Sequence, residues 1–156
     1  RPLAFYAAYF SIRAKAFDAT LMCQGMDVVK AKLKEIKAKM DEKQATAVGA
    51  DTYTTPEVGY EFYLRGFTFR HVNLYQSEAV HFILDGEDAL IPPFTAIPGL
   101  GETAAQSIVE QREGKDFVSI EEFSDACPKV SKTHIEQLKA AGAFDDMPET
   151  SQITLF

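Results

Sequence analysis

No stretch of this sequence approaches the ~18 consecutive apolar residues that mark a membrane-spanning helix. No basic-then-apolar leader precedes a small-residue cleavage site either, so neither a membrane span nor a secretory signal is expected. Cysteine is scarce. Cys23 and Cys127 stand far apart in helical surroundings without ligand spacing, and they read as buried, reduced thiols of a cytosolic protein. The three histidines, His71, His81 and His134, form no metal motif, and neither G-x-S-x-G nor H-E-x-x-H occurs. No catalytic residue, metal or other cofactor is therefore expected in this chain. A surplus of positive charge is missing too: the net charge of −7 argues against a freestanding nucleic-acid binder.

What is present is globular. With 156 residues, a hydrophobic fraction of 46% and twelve Phe, the chain suits one or two small domains with a modest core. It opens at Arg1 inside an apolar run, Pro2 to Phe10, and is expected to be the tail of a longer polypeptide. Its charge is uneven. Between Arg1 and Met40 eight basic residues face three acids, a local net of +5. The Lys30 to Lys39 face either meets phosphates or is an ordinary solvated helix face.

Pro2 suits the first turn of a helix, and Phe5, Tyr9 and Ile12 recur at i, i+4, i+7 as its expected buried face. A second helix is expected from Asp27 as N-cap, with Val29, Leu33, Ile36 and Met40 inward. Asp41 to Thr54 loses periodicity and reads as a loop or linker. Thr55 as cap and Pro56 at the first position restart a helix that stops at Gly66. Phe67 to Val72 alternates like a strand, and Ala79–Leu84 and Ala89–Ile91 flank Asp85-Gly86 as a β-hairpin. Pro92-Pro93 closes that unit. The remainder reads as helices: Glu102–Arg112 with Ala105, Ile108 and Val109 inward, a short one capped by Ser119 with Phe123 buried, and a last one capped by Ser131 with Ile135, Leu138 and Ala141 inward. The expected class is thus mainly α with a small β element. The units are 1–45, a variable loop 46–55, a helix-plus-hairpin unit 56–92, a helical unit 93–147 and a flexible acidic tail 148–156.

The most informative stretch is Ile97-Pro98-Gly99-Leu100-Gly101, running into Glu102-Thr103-Ala104-Ala105. Two glycines two positions apart allow a sharp turn and leave backbone N–H groups unshielded at the positive end of the following helix. Such a loop grips a phosphate through backbone alone, blind to the base attached. A Gly-rich turn without a ligand is the alternative, but the flanking pattern fits a helix-hairpin-helix DNA-binding element. A dinucleotide fingerprint does not fit, since it needs a third Gly and a preceding strand. The candidate DNA contacts are Gly99, Leu100, Gly101, Glu102 and Thr103. Lys129, Ser131 and Lys132 join them from a degenerate second turn, Lys129-Val130-Ser131. That second half either grips the other strand or only completes the core. At the far end, Gln152-Ile153-Thr154-Leu155-Phe156 places apolar side chains on a polar tail, the pattern of a short docking motif.

Several long motifs, in order, resemble the C-terminal end of the PolC-type replicative DNA polymerases, C-family enzymes of low-GC Gram-positive bacteria. They are PLAFYAAYFSIRAKAFDA, MCQG, AKLKEIKAK, RGFTF, VNLYQSEAVHFILDG, LIPPFTAIPGLGETAAQSIVEQREG, VSKTHIEQLKAAGAFDDMPETSQ and ITLF. The resemblance covers nearly the whole chain, least of all Asp41 to Thr54. It implies that residues 1 to about 45 end the fingers region and that Phe94 to Phe144 form a tandem helix-hairpin-helix duplex-binding domain. It also implies that Gln152, Ile153, Leu155 and Phe156 bind the sliding (β) clamp. Ile153 and Thr154 depart from the family's usual Leu and small or acidic residue. The palm, with its carboxylates and Mg2+, would lie upstream, so this segment alone is not expected to polymerise DNA. The implied partners are double-stranded DNA, the clamp and the rest of the polymerase, in the bacterial cytoplasm at the nucleoid, with no membrane. The alternative is a freestanding helix-hairpin-helix adaptor with a clamp-binding tail. A repair nuclease or glycosylase would need a catalytic Lys or Asp beside the hairpin, and no such residue is evident.

Overall fold

Helix α1 (Pro2–Ile12) begins with Pro at its first position, where a missing N–H costs nothing. The computed structural model describes residues 1–41 and 50–150. α1 is apolar around most of its circumference, so two stripes at helical spacing compete for the core. The winning stripe is Leu3, Tyr6, Ala7 and Phe10, not the expected Phe5, Tyr9 and Ile12. Phe5 and Ile12 are 63% and 81% exposed. The reason lies in Phe10, whose ring centroid sits 5.2–5.8 Å from those of Phe17, Phe62, Phe69 and Phe82. Rings at these separations, mostly edge to face, gain beyond simple area burial. Ser11 ties the same helix to the later chain, its Oγ accepting from the Phe82 N–H at 2.8 Å.

Two single-turn helices follow, α2 (Ala14–Phe17) and α3 (Ala19–Met22), broken at Asp18, whose φ is 51°. Asp18 Oδ1 accepts from the Thr20 N–H at 3.1 Å and so caps α3. α4 (Met26–Asp41) starts one residue ahead of the expected Asp27 cap and buries Val29 and Ile36, with Leu33 half-buried. The expected inward Met40 has a side chain outside the described residues.

α5 spans Ala50–Leu64, so the helix starts upstream of the expected Thr55-Pro56 boundary and takes in part of the expected loop. Pro56 therefore lies inside the helix, where it removes one backbone hydrogen bond. α5 packs along α4. That tertiary contact carries the helix past a residue that would end an isolated one. Thr55 is fully buried rather than a cap.

The sheet has the order β1-β3-β2. β2 (Ile83–Asp85) and β3 (Ala89–Ile91) form the hairpin expected around Asp85-Gly86, paired Ile83 to Ile91 and Asp85 to Ala89. The alternating stretch after Phe67 contributes only β1 (Thr68–Phe69), which pairs in parallel with β3, Thr68 opposite Ala89. Mainly helical with one small sheet, the fold is the α+β class that the pattern implied.

Beyond β3 the chain makes a 3-10 turn (Phe94–Ala96) and then α6 (Glu102–Arg112), α7 (Ile120–Ala126) and α8 (Lys132–Ala140). Phe94, Ile97, Ile108, Phe123 and Leu138 belong to the same continuous core as Phe10 and Phe62. Arg112, at the end of α6, donates to the carbonyls of Leu74 (2.9 Å) and Ser77 (2.5 Å) and lies 5.8 Å from the Phe94 ring centroid. Burial holds its guanidinium below the usual arginine range. The acidic stretch after Phe144 is not free from its start. The N–H groups of Ile120 and Glu121 donate to the carbonyls of Pro148 (2.9 Å) and Glu149 (3.0 Å), Lys139 pairs with Glu149, and Met147 packs against the core. Among the described residues no helix is long and apolar enough to cross a membrane.

Candidate nucleic-acid interface

The loop between the 3-10 turn and α6 is closed by the Leu100 N–H donating to the Ile97 carbonyl at 3.1 Å. Gly99 sits at φ +79°, so Pro98-Gly99 follows the sequence signature of a type II turn. Glycine is required at 99 on two counts. A Cβ would enter the left-handed region, and it would stand 3.2 Å from His134 Nε2 on α8. The first hairpin and the last helix are therefore in direct contact. Gly101 differs: its φ and ψ of −79° and 170° are ordinary, and a Cβ there meets nothing within 4 Å. Leu100 is 2% exposed. Its side chain anchors the loop in the core, and its N–H is used within the turn.

Gly101 is the N-cap of α6 and supplies no side-chain hydrogen bond. α7 and α8 are built otherwise. Ser119 Oγ accepts from the Glu122 N–H at 3.1 Å, and Ser131 Oγ accepts from the His134 N–H at 3.2 Å, as the sequence implied for both. Of these three helices, α6 alone presents its first-turn donors, at Glu102, Thr103 and Ala104, without a side-chain cap. The positive end of its macrodipole faces outward with them. At the degenerate second turn Lys129, Ser131 and Lys132 are all exposed, but the Ser131 hydroxyl already serves the fold. Glu102 and Thr103 are exposed at the start of α6. Gln152, Ile153, Leu155 and Phe156 lie outside the described residues.

Sequence reasoning missed one charge. α2 packs on the 3-10 turn and brings Lys15 beside the hairpin. A cavity of about 270 Å³ is lined by Lys15, Thr95, Gly99, Leu100 and Gly101. No local signal marks Lys15, because the pairing depends on a tertiary contact between distant segments. Among the lysines of α4, Lys30, Lys34 and Lys37 are exposed, and Lys32 and Lys39 flank Glu35 at 3.5 and 3.3 Å. Those two ammonium groups, Lys39 first, hold the Glu35 carboxyl below its ordinary range. The thiols are free, as expected, with Cys127 buried. Cys23 keeps its thiol buried, as expected, although the residue as a whole is partly exposed. Among the described residues no group of three or more His, Cys, Asp or Glu could hold a metal ion.

Residues 66–153 match the family model described as helix-hairpin-helix motif. Over 155 residues, 99% of its length, the chain is 44% identical to the PolC-type DNA polymerase III of Streptococcus thermophilus. Over the same length it is 43% identical to that of Streptococcus pneumoniae and 44% identical to that of Streptococcus agalactiae. The chain spans about 10% of the length of each of these proteins.

Proposed function

Because the chain belongs to the helix-hairpin-helix family, we propose that it is the duplex-holding segment of a PolC-type replicative DNA polymerase. The observation that carries this reading is the start of α6, where backbone donors stand behind two glycines with no side-chain cap. A polymerase must hold the duplex leaving its active site whatever the sequence. Backbone contacts to phosphate do that, since they carry no base information. The acidic overall charge keeps such a grip weak, which suits an enzyme that slides. Polymerisation itself, with its Mg2+, belongs to a palm elsewhere in the longer protein, acting on DNA in the cytoplasm.

The terminal QITLF is the second tether in this reading, with Leu155 and Phe156 as apolar anchors in a groove of the sliding clamp, Gln152 setting register and Ile153 supporting them. Burying two such side chains contributes about 3–6 kcal/mol before ordering costs, so the tail alone binds at roughly micromolar strength or weaker. Two weak tethers on one chain reinforce each other through effective concentration, without any new contact.

Gly101→Val tests the hairpin. Among the described residues, nothing beyond the adjoining chain lies within 4 Å of a Cβ at 101, so a loss of duplex binding in a folded variant reflects a ligand that approaches closely. The expected result is weaker binding with a nearly unchanged salt slope, because neutral backbone donors release no counterion. An unchanged affinity removes the phosphate assignment. For the tail, Leu155→Ala with Phe156→Ala should abolish clamp-dependent processivity in the full polymerase and leave clamp-free extension intact.

A further inference from the structure

The hairpin supplies donors but no positive charge of its own, and its first helical residue, Glu102, is acidic. What surrounds it is more telling. Two neighbouring cavities, of about 370 and 270 Å³, share Lys15 and Thr95 as walls. Glu102 lines the larger cavity; the smaller is lined by Lys15 and Thr95 with Gly99, Leu100 and Gly101, and by no acid. Thr95 is 4% exposed, and its Oγ1 is buried without a hydrogen-bond partner. A buried hydroxyl left unpaired costs free energy comparable to a lost hydrogen bond, so its retention in the shared wall of two cavities points to a ligand. Lys15 is exposed, and among the described residues it makes no ion pair or hydrogen bond. It also lies outside the stretch 66–153 that matches the helix-hairpin-helix family.

We infer that Lys15 and Thr95 complete a phosphate seat at the hairpin. In it one phosphodiester of the duplex is held jointly by the α6 backbone donors, the Thr95 hydroxyl and the Lys15 ammonium. This rests on the reading that the hairpin meets duplex DNA and adds to it the source of the missing charge. Each group has a separate task. The backbone donors fix where the phosphate sits, Thr95 Oγ1 donates to one of its oxygens, and Lys15 neutralises it and releases its counterion. The grip is then shared between the helix-hairpin-helix stretch and α2, so it depends on how α2 docks on the 3-10 turn.

The test is duplex binding by the full chain, followed by fluorescence anisotropy of a labelled mixed-sequence duplex between about 50 and 200 mM salt. Lys15→Gln should weaken binding roughly five- to tenfold at ~0.1 M salt and make the salt slope shallower by about 0.9, while Lys15→Arg restores the slope. Thr95→Val should weaken binding with the slope unchanged, since no charge is lost, and the free variant should melt no lower than the parent. Gly101→Val, read in parallel, reports on the hairpin alone. If Lys15→Gln and Thr95→Val bind like the parent while Gly101→Val binds weakly, the seat is wrong and the hairpin reading stands. If all three bind like the parent, both fall.

Discussion

Replacing Gly101 by Ser should make the chain more stable and worse at binding DNA. The backbone at 101, φ −79° and ψ 170°, nearly superposes in angle on that of Ser131, φ −73° and ψ 163°, which caps α8 through the His134 N–H. A serine at 101 can therefore cap α6 in the same way, accepting from the N–H of Ala104, three residues on. There is room for it, since among the described residues nothing beyond the adjoining chain lies within 4 Å of the new Cβ. Serine exceeds glycine as an N-cap by a few tenths of a kcal/mol. Removing a glycine from the unfolded chain adds about 0.4–1 kcal/mol where the native angles suit the new residue, as they do here. The sum, about 0.5–1.5 kcal/mol, should raise Tm by roughly 1–6 °C in a chain of this size. The same hydroxyl occupies a donor that the phosphate would use, so duplex affinity should fall. Thermal unfolding by circular dichroism and duplex anisotropy on the same preparation measure the two effects. A lower Tm would refute the capping argument. A higher Tm with unchanged affinity would show that the α6 donors are not the anion site.

The neighbouring glycine should respond in the opposite sense: Gly99→Ala forces a Cβ into the left-handed region beside His134, costing about 1–2 kcal/mol and several degrees of Tm. A variant as stable as the parent would contradict the turn geometry. Arg112→Met should cost about 1–3 kcal/mol by stranding the Leu74 and Ser77 carbonyls, measurable as a lower urea midpoint with unchanged m. Alkaline pH should also destabilise the fold. Burial, with Cys23 nearby, raises the Tyr63 phenol, whose hydroxyl donates to the Met22 carbonyl at 2.6 Å; burial, with Asp18 nearby, raises the Cys23 thiol. The folded chain then holds protons that the unfolded chain gives up from about pH 8.5 upward, so stability is full below that pH and declines above it. A Tm that stays flat from pH 7 to about pH 10 would contradict this.

What could be read from the sequence was local. Ser119 and Ser131 announce their helices because a cap and its N–H partner lie three residues apart, and Asp85-Gly86 announces its hairpin because the turn is contiguous. Gly99 announces its turn for the same reason. What could not be read depends on partners far along the chain. Nothing in α1 itself chooses Tyr6 and Phe10 over Phe5 and Tyr9; the choice is made by Phe62, Phe69 and Phe82. Pro56 obeys the rule for a helix start, and the packing of α5 on α4 and α2 overrides it. Thr68 and Ala89 pair in parallel across a long connection, which no alternation pattern specifies. The candidate site divides the same way. Its hairpin is contiguous and legible, whereas Lys15 joins it only through the docking of α2.

The aromatic cluster around Phe10 has a bearing on how this protein could have been assembled from parts. Phe10 and Phe17 come from the first helices, while Phe69 and Phe82 come from the stretch that matches the helix-hairpin-helix family. That stretch therefore shares its core with the helices that precede it. Moved by itself to another gene, it would arrive with an uncovered ring of phenylalanines and without the Ser11 hydroxyl that receives the Phe82 N–H. It would need a new lid of matching shape before it could stand in water. The two sides of the aromatic seam are thereby coupled, since neither can change shape without the other.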